Sequence, residues 1–177
     1  MNKLIIRNVK KEDLRDVAEI VVEGWKKSYK DIIDNMFLDN LSVEETYQKR
    51  LNDYTENKFI VAELNDEIVG FCRYKVGNNY KDKYPEVDCE ISAIYIKPDY
   101  KRKGIGKELI NYSINDFKDN FCSKMIIWCL KDNYPSRAFY EKMGGVYCGE
   151  KNLQLGDKEY KEAGYIYSLN KLPMYGK

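Results

Sequence analysis

The stretch from Glu90 to Leu109, EISAIYIKPDYKRKGIGKEL, constrains this chain more than any other. Its first part, Ile91-Ser92-Ala93-Ile94-Tyr95-Ile96, reads as a strand, and Pro98 ends it because proline cannot continue a central ladder. A basic turn with two glycines follows, Lys101-Arg102-Lys103-Gly104-Ile105-Gly106. Lys107-Glu108-Leu109-Ile110 then opens a helix whose apolar residues Ile105, Leu109, Ile110 and Ile114 keep helical spacing. Strand, glycine turn and helix start together aim orphan backbone N–H groups at one point, where the positive end of the helix dipole adds to them. Such a point attracts an anion, and glycines let its oxygens approach the backbone closely. The stretch is expected to hold a phosphate.

The spacing narrows the choice of phosphate. Gly106 is followed by Lys107 and Glu108, so the G-x-x-x-x-G-K-[ST] loop is absent, and so is G-x-G-x-x-G. On its own the turn also fits a surface loop with a helix cap. The rest of the chain removes further classes. With 30 basic and 29 acidic residues the net charge is +1, which offers no general attraction to nucleic acid or anionic lipid. No segment has the length of an apolar membrane span, and Met1 to Arg7 lacks a secretory apolar region. The chain has no histidine, which removes Ser-His and Cys-His nucleophile pairs and argues against zinc. Five scattered cysteines without a C-x-x-C spacing suit a reduced, cytoplasmic setting; Cys72, Cys89 and Cys129 lie in apolar runs as small hydrophobes.

Taken in order, Leu4 to Val9 reads as a strand, and an amphipathic helix follows with Leu14, Val17, Ala18, Val21 and Trp25 on one face. Asp31 to Leu41 is a short connecting stretch, and Ser42-Val43-Glu44-Glu45 is a capping box for a helix reaching about Tyr54. Phe59 to Leu64 and Ile68 to Tyr74 form a hairpin about Asn65-Asp66. A polar loop from Gly77 to Pro85 leads to a strand over Val87 to Ile96. After the glycine turn and its helix, Met125 to Leu130 is continuously apolar and reads as a strand covered on both faces. Asn133 to Met143 is a helix closed by Gly144-Gly145, and Val146–Gly149 with Tyr160–Leu169 is a final antiparallel pair. The order βααβββαβαββ predicts an α+β fold, a mixed and mostly antiparallel central sheet flanked by helices. One domain over residues 1–171 with a tail at 172–177 is expected.

A second motif lies at Asn133-Tyr134-Pro135-Ser136-Arg137-Ala138-Phe139-Tyr140-Glu141-Lys142-Met143-Gly144. Asn133 suits an N-cap and Pro135 the first helical turn, and Ser136 and Tyr140, four apart, share a face. A capped helix with a packed tyrosine would account for this segment alone. In sequence with the glycine turn, however, it resembles the GCN5-related N-acetyltransferases (GNAT), whose patterns are [QR]-x-x-G-x-[GA] and N-x-x-[AS]-x-x-[FL]-Y-x-x-x-G. Lys101 stands where that family prefers Gln or Arg, and Gly145 where it usually has an aromatic residue. The resemblance covers about Leu4 to Leu169.

The resemblance implies a three-layer GNAT-like fold that binds acetyl-CoA, with Lys101, Arg102, Lys103, Gly104, Ile105, Gly106 and Lys107 around the diphosphate. It implies that the strands before the turn and after the next helix part at Ile94, Tyr95 and Ile96 and near Leu130, where the pantetheine arm bonds to the backbone of Ile94 and Ile96. Asn133, Ser136, Phe139 and Tyr140 would complete the cofactor site. Tyr140 would protonate the leaving thiolate, a role suited to a phenol with an ordinary pKa of roughly 10. A backbone N–H beside the thioester would stabilise the oxyanion, and the acceptor amine would attack directly. Glu90 would serve as a water-relayed base or hold the amine cation; a partly exposed carboxylate, or one paired with a lysine, is the bland alternative. Asp88 could share that task. The acceptor pocket would come from Trp25, Tyr29, Phe37, Leu38, Tyr74 and Glu90. The expected activity is acetyl transfer to a primary amine of a small molecule or peptide, with no nucleic-acid or membrane partner. An acyl-CoA-binding module with little transfer is the alternative, and a homodimer is left open.

Overall fold

A computed structural model of the protein describes residues 3–54, 58–77 and 79–174. Among them run β1 Leu4–Asn8, α1 Leu14–Ser28, α2 Asn35–Asp39, α3 Val43–Asp53, β2 Lys58–Leu64, β3 Glu67–Val76, β4 Cys89–Ile96, α4 Ile105–Asp119, β5 Lys124–Leu130, α5 Tyr134–Lys142, β6 Val146–Leu155 and β7 Lys158–Ser168. The strands make a mixed sheet in the order β1-β2-β3-β4-β5-β7-β6, so the expected fold class holds. Two compact units divide the chain: Met1–Tyr74 with Ala93–Asn111, and Lys75–Ser92 with Tyr112–Lys177.

The first unit is built on antiparallel pairing of β1 with β2 and of β2 with β3. Asn65 and Asp66 both have positive φ (53° and 64°), the backbone of a two-residue hairpin turn whose twist matches the strands. Leu14, Val17 and Ile20 of α1 pack with Phe59, Val61, Ile68 and Phe71 of the sheet, and Tyr47, Leu51, Ala93 and Tyr95 lie against that cluster. Burial on α1 is wider than the expected stripe, because Ile20, Val22 and Gly24 are also covered, while Val21 and Trp25 are half-buried. A helix with neighbours on two sides buries more than one face. The Ser42 hydroxyl accepts from the Glu45 amide (3.3 Å), the cap its sequence announced for α3. The brief α2 was not expected. Its Asp34 cap accepts from Phe37 N (3.2 Å), but five residues are too few to show a period.

In the second unit β4 runs parallel to β5, with Cys89 opposite Met125, Glu90 opposite Ile126 and Ile91 opposite Ile127. The pairing ends there, although β5 continues to Leu130. β7 pairs antiparallel with β5 and β6 with β7. Side chains alternate between two faces of this sheet. Tyr165 and Tyr167 stand on the face covered by α5. Gly164 and Ile166 stand on the other, where Ile126 and Trp128 meet Tyr80, Tyr84 and Val87. β6 is longer than the expected Val146–Gly149 because Glu150-Lys151-Asn152 hides the apolar alternation, which an edge strand tolerates. The tail begins anchored: Lys118 Nζ donates to the carbonyls of Leu172 (2.5 Å) and Pro173 (3.3 Å). Residues 175–177 of the expected tail lie outside the described residues. Cys72, Cys89 and Cys129 are buried and in no disulfide among the described residues.

Candidate active site

The glycine turn lies within the first unit. After β4, Pro98–Tyr100 forms a short helical turn held by Glu67, which accepts from Lys97 Nζ (2.8 Å) and the Tyr100 hydroxyl (2.6 Å). Arg102 and Gly104 both have positive φ (60° and 87°), with Lys103 between them. Such alternation turns neighbouring N–H groups to one side. The Gly104 carbonyl accepts from Glu108 N (3.1 Å), so the amides of Ile105, Gly106 and Lys107 form the first turn of α4 and lack intrahelical acceptors. Lys101 Nζ donates to Ser28 Oγ (2.8 Å), and no carboxylate pairs with it among the described residues. Partial burial and the neighbouring Lys27 ammonium lower its pKa. Orphan amides beside a cation that lacks an acidic partner make a donor set suited to a polyphosphate.

Tyr95 divides its labour between side chain and backbone. Its hydroxyl accepts from Trp25 Nε1 (2.8 Å) and its ring stacks on Phe71 at 5.5 Å, which fixes the end of β4 to α1. Ile94 and Ile96 flank it, both half-buried. Of the residues expected around the acceptor, Trp25, Tyr29 and Phe37 come together, with ring centroids 5.2 Å and 6.3 Å from Trp25. Leu38 and Tyr74 instead are buried in the core.

Glu90 and Tyr140 both belong to the second unit. Glu90 is only 6% exposed, so it is not the partly exposed strand-end carboxylate of the bland alternative. It does have a lysine partner, Lys75 Nζ at 3.6 Å, and its Oε1 accepts from the Tyr80 hydroxyl at 3.1 Å. Burial and the adjacent Glu90 charge push the Tyr80 phenol well above its ordinary value. Through Tyr80, Glu90 is tied to the sheet face that carries Trp128. Tyr140 sits on the opposite face, its ring 6.0 Å from that of Tyr165 and its carbonyl accepting from Tyr167 Oη (2.9 Å). Asn133 caps α5, its Oδ1 accepting from Ser136 N (3.3 Å), and the Phe139 ring lies 5.6 Å from that of Tyr140.

Asp88 is not placed to share the task of Glu90. Its carboxylate accepts from Ser123 N (2.8 Å), Ser123 Oγ (2.9 Å) and Lys124 N (3.0 Å), so its lone pairs hold the start of β5. Sequence reasoning missed Tyr80, Lys75 and Tyr167. The first lies in a polar loop with no periodicity, and the others look like ordinary strand residues until pairing puts them beside Glu90 and Tyr140.

The model of the acetyltransferase (GNAT) family matches residues 25–145, more than half of the chain. The chain belongs to the GNAT family. The matched span contains β4, the glycine turn and α5, and thus both motifs. Among curated relatives, an uncharacterized N-acetyltransferase of Bacillus subtilis, YuaI, is 26% identical over 90% of each chain. A probable N-acetyltransferase of Mycobacterium tuberculosis is 30% identical, covering 77% of this chain and 76% of the relative. Among solved structures, the PaiA N-acetyltransferase of Thermoplasma acidophilum in complex with coenzyme A superposes with a TM-score of 0.67. It is 22% identical and covers 91% of this chain and 98% of its own. As a GNAT member the protein is an N-acetyltransferase with acetyl-CoA as co-substrate.

Proposed function

We propose that residues 1–171 act as one acetyltransferase domain that moves the acetyl group of acetyl-CoA to a primary amine of a small molecule or peptide. Acetyl-CoA supplies an activated thioester, so the protein's part is to bind, align and move protons. The amides of residues 105–107 and the side chains of Lys101, Arg102 and Lys103 hold the diphosphate. The backbone of Ile94 and Ile96 receives the pantetheine arm, with Asn133, Ser136 and Phe139 supporting it. Glu90 takes a proton from the acceptor nitrogen, directly or through water, as that nitrogen bonds to the thioester carbon. Tyr140 gives a proton to the sulfur as the carbon–sulfur bond breaks, so the products are an amide and a neutral thiol. Trp25, Tyr29 and Phe37 shape the acceptor side, while Leu38 and Tyr74 support it from the core. The setting is cytoplasmic.

One observation carries this reading. The proposed base and acid stand on opposite faces of the second unit's sheet, and the ladder between β4 and β5 ends one residue after Glu90. A proton acceptor on one side and a donor on the other suit an amine and a thioester that meet face to face. The test is an amine panel with acetyl-CoA, followed by thiol release. Tyr140→Phe should lower kcat about a hundredfold with the coenzyme A affinity retained, as expected for loss of a general acid. Glu90→Gln should lower kcat/KM by a similar factor. Unchanged turnover in either variant removes that residue from its role.

A further inference from the structure

The sheet face turned away from α5 carries a polar cluster that proton transfer alone does not explain. Glu90 lies opposite Ile126, and Trp128 lies two residues farther along β5 on the same side. Tyr80 joins the two, donating to Glu90 Oε1 and placing its ring 5.5 Å from that of Trp128. Lys151 Nζ donates to the Tyr80 hydroxyl at 2.9 Å, lies 4.7 Å from the centres of both rings, and pairs with Glu162 at 3.3 Å.

Among the described residues, two buried atoms in this cluster lack a hydrogen-bond partner. One is an acceptor, Glu90 Oε2, to which Lys75 Nζ at 3.6 Å supplies charge without a hydrogen bond. The other is a donor, Trp128 Nε1. Buried polar atoms are rarely left unpaired, because each gives up its water for nothing. The fold also makes room for the indole. A Cβ on Gly164, the residue opposite Trp128 on β7, would fall 2.7 Å from Trp128 Cη2 and Cζ3. The charges meanwhile balance, Lys75 and Lys151 against Glu90 and Glu162, and Lys151 already occupies the cation position over the rings. A polycation would find no net negative charge here.

Resting on the acetyltransferase reading, we propose that Glu90 Oε2 and Trp128 Nε1 recognise the acceptor together. The carboxylate oxygen takes an N–H of the attacking amine, and the indole N–H donates to an oxygen carried close to that nitrogen. The acceptor class that satisfies both atoms is an α-amino carbonyl compound, an amino-acid amide or a peptide N-terminus. An alkyl diamine leaves the indole unpaired. Trp128 is then a specificity-determining residue, since a site built to bond a polar group rejects analogues that lack it.

Trp128→Phe keeps a flat ring and removes the N–H. Steady-state transfer from acetyl-CoA is measured with alaninamide, an alanine-initiated tripeptide, n-propylamine and 1,4-diaminobutane. Each acceptor is scored as the ratio of variant to wild type, so that differences in amine basicity cancel. The loss of kcat/KM is expected to be about tenfold larger for the two oxygen-bearing acceptors than for the two alkyl amines, and to lie mainly in KM. A general packing defect would lower all four in proportion. Proportional losses, or larger losses for the alkyl amines, overturn the proposal while leaving the acetyltransferase reading in place. Absence of transfer to all four by the wild-type protein overturns both.

Discussion

Gly145 stands where the GNAT pattern usually has an aromatic side chain, and the space explains the exchange. A Cβ on Gly145 would lie 2.8 Å from Tyr167 Cζ, 2.9 Å from its hydroxyl and 3.0 Å from the Tyr140 carbonyl. The aromatic bulk comes instead from Tyr167 of β7, fully buried, whose hydroxyl and the Gly145 amide (3.0 Å) both donate to that carbonyl. Gly145→Ala is therefore expected to destabilise the protein by about 1–3 kcal/mol through overpacking, read from urea unfolding. It should also lower turnover, because the crowded atoms belong to the residue proposed as acid. A stability within a few tenths of wild type would show that the crowding relaxes freely. Residues of this kind divide sharply in legibility. Tyr140 and Asn133 could be found from spacing along one helix, whereas Tyr167 and Tyr80 matter through partners 27 and 10 residues away. Strand pairing brings Tyr167 there and the course of a loop brings Tyr80, not local pattern.

Elements with strong local chemistry were legible, and those decided by pairing were not. The caps of α3 and α5, the hairpin at Asn65-Asp66 and the start of α4 follow from side chains or backbone needs a few residues apart. The length of β6 and the helical turn at Pro98–Tyr100 depend on neighbours far along the chain. The glycine turn allows a test at this scale. Gly104 has φ 87° but open space where a Cβ would point, so Gly104→Ala meets backbone strain and no clash. About 1 kcal/mol of stability should be lost, and coenzyme A should bind several-fold more weakly because the amides no longer converge. Calorimetry on the variant measures the second effect, and unchanged affinity would separate the turn's shape from binding.

The junction of β1 with α1 gives a test in pH. Arg7 holds Asp13 through two hydrogen bonds (2.7 and 3.0 Å) and Glu63 through a third (2.7 Å). Burial alone would raise the Asp13 pKa, but the Arg7 guanidinium and the Lys10 amide outweigh it and hold the carboxyl below its ordinary value. A depressed folded pKa stabilises above the unfolded value, about 3.9, and that stability is lost as pH falls through the folded one. Asp13→Asn should thus cost about 2 kcal/mol at pH 7, with the gap to wild type closing below about pH 4. A gap independent of pH would mean that shape, not charge, matters at this position.

At the scale of the whole molecule, the mixed sheet was predictable from the alternation of strands and helices, and the division of the chain into two compact units was not. Three elements, β3, β4 and α4, contribute residues to both, and a reading that follows one element at a time passes over such a boundary. Among the described residues no helix is long and apolar enough to cross a membrane. A net charge of +1 leaves anion binding to local geometry, which puts the weight of the account on the turn between β4 and α4. Titration of the full chain with coenzyme A in a calorimeter measures this directly. Saturable one-to-one binding, weakened by Gly104→Ala, is the predicted result; no heat of binding at millimolar coenzyme A would contradict it.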